Sequence, residues 1–175
     1  MTSLFTPTWM VDNYACINPH DLRRQGIRVI FSDLDNTLVI WNHHEGTARL
    51  HQWLTDLQAA NFPLIVLSNN NVARIKKAVA PLGLPFVART LKPLPFGINR
   101  TRRKLGLKRS EVVMLGDQLM TDICAANQAG VRSILVKPLT DTDKWNTKIN
   151  RTIERPVKKI MLANNPELHW EKEIK

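Results

Sequence analysis

Five short apolar runs, ending near Asp33, Ser68, Val87, Gly116 and Val136, alternate with stretches of helical periodicity along this chain. The alternation predicts an α/β protein: a three-layer α/β/α sandwich around a doubly wound parallel sheet, since strands separated by helices return to one sheet through right-handed crossovers. The run of Ile27, Val29, Ile30 and Phe31 reads as a strand buried on both faces, as parallel strands are. Ligands of such sheets bind outside the carboxyl ends of the strands. The residues just after each run are therefore the candidates for function.

Asp33 and Asp35 follow the first run, with Asn36 and Thr37 behind them. The two-residue period of an extended chain sends both carboxylates to one side, where at about 4 Å and an effective dielectric of about 20 they repel by about 4 kcal/mol. A cation has to offset that repulsion. The plain alternative for a bare Asp-x-Asp is an acidic turn that ends a strand. Ser68 closes the second run ahead of Asn69, Asn70 and Asn71; on its own it reads as a cap for the helix holding Val72, Ile75 and Val79. Lys92 stands before Pro93, a usual place for an exposed loop cation. Residues 112–122 carry more information: a strand, a Gly116-Asp117 turn, and a helix with Asp122 in its first turns.

In this order the four segments resemble the haloacid dehalogenase superfamily of phosphohydrolases over roughly residues 27–136, and the DLDNTL and GDQxxTD wording is similar to its subclass IIIA phosphatases of the YqeG type, relatives of phosphatidylglycerophosphate phosphatases. Phe5, Pro7, Asp21, Leu22, Gly26 and Ile27 share the likeness. The resemblance implies a Mg²⁺-dependent phosphomonoester hydrolase. Asp33 would attack phosphorus to form an aspartyl-phosphate, and Asp35 would protonate the leaving alkoxide and then deprotonate water. Asp33, Asp117 and the backbone carbonyl of Asp35 would hold Mg²⁺, with Asp122 acting through water or orienting the others. Ser68, Asn69 and Lys92 would meet the phosphoryl oxygens, Lys92 would also hold Asp33, and Thr37 would tighten the loop at the edge of the substrate site. The chemistry asks for the same residue types: a nucleophile ionised at neutral pH, a proton donor, cations for the equatorial oxygens, and oxygen ligands for Mg²⁺.

Relatives that enclose small metabolites insert a cap domain after the first motif or between the second and third. Only about ten residues separate Val39 from the helix of Leu50, Trp53, Leu54 and Leu57, far below the roughly 50 that a domain needs. An open site is expected, suited to a phosphate displayed on something large: a membrane, a protein or a nucleic acid.

One domain accounts for all 175 residues: an extension over 1–26, a catalytic core over 27–136 and a basic helical segment over 137–175. Two cysteines, Cys16 and Cys124, make no disulfide framework. With no secretion-signal pattern and no apolar run of membrane-spanning length, a cytoplasmic enzyme is expected, peripheral at a membrane if associated with one. Lys and Arg outnumber Asp and Glu by 8 to 6 over residues 1–90 and by 17 to 9 over 91–175. Arg100, Arg102, Arg103, Lys104, Lys108 and Arg109 form one basic group; Lys144, Lys148, Arg151, Arg155, Lys158 and Lys159 form another. An anionic partner follows. In the second group Ile149, Ile153, Val157 and Ile160 recur at helical spacing, with Pro156 expected to interrupt the helix. That stripe either packs on the domain or, with Leu4, Phe5, Trp9 and Met10, rests on an anionic phospholipid surface. Phosphatidylglycerophosphate is the substrate that the resemblance implies, with a nucleic-acid end, a phosphoprotein or a soluble ester as alternatives, and a catalytically silent RNA- or ribosome-binding protein is the reading from another class.

Overall fold

The computed structural model describes residues 4–40, 46–140 and 145–174, with backbone alone for 145–153. Trp41, Lys144 and the side chains of Trp145, Lys148, Ile149, Arg151 and Ile153 lie outside the described residues. Six strands form one sheet: β1 (Trp9–Val11), β2 (Val29–Ser32), β3 (Leu64–Leu67), β4 (Phe86–Val87), β5 (Val112–Gly116) and β6 (Arg132–Val136). Their order is β1-β6-β5-β2-β3-β4, and every pairing is parallel.

Between the strands run α1 (Pro19–Arg24), α2 (Ala48–Ala59), α3 (Val72–Val79), α4 (Phe96–Lys104) and α5 (Cys124–Ala129), and α6 (Trp145–Asn164) follows the last strand. Alternation along β2 sets the layers. Ile30 joins a core with Leu50, Trp53 and Leu57 of α2 and Ile75 of α3, whereas Val29 and Phe31 face Ile98 of α4 and Ala125, Ala126 and Ala129 of α5. The predicted three-layer α/β/α sandwich is thus present, and the segments between β2 and α2 and between β3 and Lys92 are too short for a cap domain.

The sheet reverses direction of growth at β2 and β5, which lie side by side although β3 and β4 come between them in the chain. Register matters here. Ser32 lies opposite Leu115, and the Asp33 N–H donates to the Leu115 carbonyl at 2.9 Å. Asp33 and Asp117 therefore leave adjacent strand ends at the switch point, where open α/β sheets bind their ligands.

Two expectations need correction. The extension over residues 1–26 adds a strand that the five apolar runs do not include, since Trp9, Met10 and Val11 pair with β6. Three residues give too short a pattern to reveal a strand, and its partner lies more than 120 residues away. Met10 is consequently buried and unavailable to a bilayer, and Trp9 is half-buried with the Arg132 guanidinium 5.7 Å from its ring. The second correction concerns α6, which runs unbroken through Pro156. Its packed face is also rotated from the expected one: Ile160 is exposed, and Met161 is buried with Met10, Leu119, Ile123 and Leu135. Glu154 is tied to the domain as well, its Oε1 accepting the Met120 N–H at 2.8 Å. The packing alternative for this segment holds for Met161; Arg155 and Lys159 remain exposed.

Candidate active site

Asp33 and Asp35 lie just beyond β2 in a loop that Asn36 turns with a positive φ of 62°, a conformation asparagine tolerates better than most residues. Their expected mutual repulsion is met by two separate cations. The Lys92 ammonium is 2.7 Å from Oδ1 of Asp33 and 2.8 Å from Oδ1 of Asp122. On the other side, Arg74 donates to Oδ1 of Asp35 at 2.7 Å and the Asn70 amide to Oδ2 at 2.8 Å. Lys92 is not the exposed loop cation its Pro neighbour suggests, for its side chain is only 3% exposed.

The loop that buries Lys92 is fastened by Asn69. Its Oδ1 accepts the Lys92 N–H at 2.8 Å and the Thr90 hydroxyl at 3.1 Å, and its Nδ2 donates to the Lys92 carbonyl at 2.7 Å. Ser68 is buried at the end of β3, where its Oγ accepts the Asn70 N–H at 3.2 Å. It does not cap α3. Asn71 does, accepting the Arg74 N–H at 2.9 Å. Thr37 donates its hydroxyl to Oδ1 of Asp117 at 2.9 Å, tying the β2 loop to the end of β5.

Asp122 reaches the site through local geometry. A wide π-type turn (Leu119–Ile123) precedes α5, and the Gln118 N–H donates to Oδ2 of Asp122 at 3.2 Å. The carboxylate folds back over Gly116, where an added Cβ would lie 2.3 Å from Cγ of Asp122. Only glycine permits that approach. Asp33, Asp117 and Asp122 consequently bring ligand oxygens within 4.8 Å of one another. Burial, reinforced by Asp122 and Asp35 and opposed by Lys92, raises the Asp33 carboxyl to a pKa of about 7. The two carboxylates facing Lys92 push its ammonium well above the usual lysine range, despite the opposing effect of burial.

The eight residues singled out in the sequence all lie in the segments that follow β2, β3, β4 and β5. Arg74 and Asn70 were not among them. The available signal was their place at the start of α3, whose amino end faces the same edge of the sheet. Cys124 is a buried residue whose thiol burial raises, beside Gln128, as its place after Asp122 suggests.

The parallel α/β sheet carries an acidic cluster at its switch point, and residues 5–130 match the haloacid dehalogenase-like hydrolase family. The chain belongs to that family. It is 35% identical over 171 residues to the "Probable phosphatase YqeG" of Bacillus subtilis strain 168, covering 98% of this chain and 99% of that protein. Together these matches make the protein a phosphatase of the YqeG type. Among solved structures, a hypothetical protein from Xanthomonas campestris superposes with a TM-score of 0.52 at 19% identity, over 83% of this chain and 87% of that one. An uncharacterized protein from Listeria monocytogenes serotype 4b gives a TM-score of 0.53 at 18% identity, over 67% and 85%. Both share the fold.

Proposed function

We propose that the protein is a Mg²⁺-dependent phosphomonoester hydrolase that acts through an aspartyl-phosphate on Asp33, with phosphatidylglycerophosphate as its substrate. The observation that carries this reading is the Lys92 ammonium held between Asp33 and Asp122, with Asp117 in the same cluster. A nucleophilic carboxylate, a buried cation and further acidic ligands converge on one strand edge.

The donor set fits a hard divalent cation, since all three clustered side chains offer carboxylate oxygen and none offers nitrogen or sulfur. Asp33 and Asp117 would hold Mg²⁺ directly, aided by the backbone carbonyl of Asp35. Asp122, whose two oxygens already accept from Lys92 and Gln118, would orient the ligands or act through water. Bound there, Mg²⁺ would favour the ionised form of Asp33 and neutralise charge on the phosphoryl oxygens.

An Asp33 oxygen attacks phosphorus, the ester P–O bond breaks, and Asp35, entering the step as the neutral acid, gives its proton to the departing alkoxide. Water then attacks phosphorus, passes a proton to Asp35 and releases Asp33 and inorganic phosphate. Lys92 meets the phosphoryl oxygens as a point charge. Ser68 can donate to them as well, because accepting from Asn70 leaves its O–H free to turn. Asn69 contributes by fixing the Lys92 backbone.

Three features support the lipid as substrate: the likeness to the YqeG type, the lack of room for a cap domain, and the excess of cations. The test is phosphate release with and without Mg²⁺ by wild type and Asp33→Asn. The substrates to compare are phosphatidylglycerophosphate in mixed micelles, sugar phosphates, nucleotides, a phosphopeptide and 3′-phosphorylated oligonucleotides. Selective turnover of the lipid, lost in Asp33→Asn, is expected. Undiminished activity in the variant overturns the mechanism, and turnover confined to another class overturns the substrate.

A further inference from the structure

Four of the seven large apolar side chains exposed among the described residues lie in the two segments that carry Arg74 and Lys92: Val72 (54%), Leu91 (58%), Leu94 (45%) and Phe96 (62%). Scattered exposed apolar residues are ordinary, but a contiguous group marks a contact surface. Leu91, Leu94 and Phe96 share one short loop, and that loop is sewn to the segment that leads into α3, where Val72 lies. Asn69 bonds to Thr90 and Lys92, the Arg89 N–H donates to the Asn70 carbonyl at 3.1 Å, and the Thr90 N–H donates to the Ser68 carbonyl at 3.2 Å. The seam thus joins the start of α3 to the loop of residues 91–96.

Core packing does not explain these side chains. The buried face of α4 is Ile98 and Thr101, and Phe96 stands away from it. Leu91 even takes the left-handed conformation, with φ of 61°, which leucine adopts rarely. A turn closed by the Leu94 N–H on the Leu91 carbonyl at 2.8 Å then presents the next apolar residue to solvent as well.

We propose that residues 91–96, with Val72 beside them, form a membrane-contact surface that lays the mouth of the active site against an anionic bilayer. The proposal rests on the lipid-phosphate reading above and identifies the surface it would use. Two observations select a bilayer over other occupants. First, the apolar lip adjoins Lys92, so whatever covers it must combine apolar bulk with a phosphate able to reach the site. An amphiphile at a lipid surface does so. Second, exposed Arg89 precedes the lip and exposed Arg100 shares the Phe96 face of α4, four residues on. Apolar residues flanked by arginines suit the boundary between acyl chains and anionic headgroups, and a net charge of +10 disfavours a second copy of the chain as the occupant. This contact differs from the one expected from the sequence, since it involves neither α6 nor Trp9.

The test compares wild type, Leu94→Ser/Phe96→Ser and Arg89→Asn/Arg100→Gln, asparagine being chosen because Arg89 also has a positive φ, 51°. Each is cosedimented with vesicles of phosphatidylcholine alone or with an equal part of phosphatidylglycerol. Each is also assayed on p-nitrophenyl phosphate and on the lipid phosphomonoester embedded in those vesicles. Wild type is expected to sediment with the anionic vesicles, with affinity reduced at least tenfold in the serine variant and the preference for anionic lipid lost in the arginine variant. Both variants should retain turnover of the soluble ester, which also certifies their folding. Failure of wild type to sediment, or equal sedimentation by the serine variant, overturns the surface. Wild-type hydrolysis of the lipid in detergent micelles reports separately on the substrate, so the lipid reading can survive loss of the surface.

Discussion

Arg74 and Asp35 form an ion pair at 2.7 Å across the mouth of the site, joining the first turn of α3 to the loop after β2. Asn70 occupies the other oxygen of the same carboxylate. Both partners are partly exposed, so the pair contributes at most about 1 kcal/mol to stability. Its consequence is orientation, because Asp35 is the group assigned to proton transfer.

Replacing Arg74 with Gln should therefore lower kcat by roughly tenfold, about 1.4 kcal/mol of transition-state stabilisation, while moving the melting temperature little. Steady-state kinetics beside a thermal melt would check this. A variant with normal kcat would remove Arg74 from any positioning role.

Asp33→Asn keeps the volume of the nucleophile and removes its charge. Phosphate release should fall by a factor on the order of 10³ or more, with an unchanged circular dichroism spectrum. The same variant has a pH signature. The folded-state pKa of Asp33 is raised from 3.8 to about 7, so in metal-free protein its contribution to stability is fully present below about pH 4 and is lost as pH rises toward 7. Denaturant titrations should then find the Asp33→Asn variant gaining stability relative to wild type between pH 4 and 7, and Mg²⁺ should narrow the difference at pH 7 by stabilising wild type.

Lys92→Met should be costly for a different reason. It leaves the buried Asp122 and the partly buried Asp33 without their cation, and breaking a buried pair in this way costs about 3–5 kcal/mol. A lowered denaturation midpoint, partly restored by Mg²⁺, is the expected outcome, with activity lost at any Mg²⁺ concentration.

Gly116→Ala tests the close approach of Asp122. A Cβ at 2.3 Å from its Cγ and Oδ2 cannot be accommodated without displacing the carboxylate, so a substitution that often stabilises should here cost about 1–3 kcal/mol. Both the denaturation midpoint and turnover should drop.

Features that depend on short-range pattern were legible in the chain. Apolar runs wrote out β2, β3, β5 and β6, and the residues after them, Asp33, Ser68 and Asp117, had to lie at one edge because parallel strands end together. The site's main residues were legible for that reason. Tertiary structure decided what depends on which distant segments meet. Three residues became β1 only through β6. Met161, not Ile160, packs α6 on the domain, with Glu154 bonded to Met120. Arg74 and Lys92 divided the charge of two neighbouring aspartates between them. Pairings of this kind leave no periodicity in the chain, because each is set by the packing of the sheet and its helices and not by the residues adjacent in sequence.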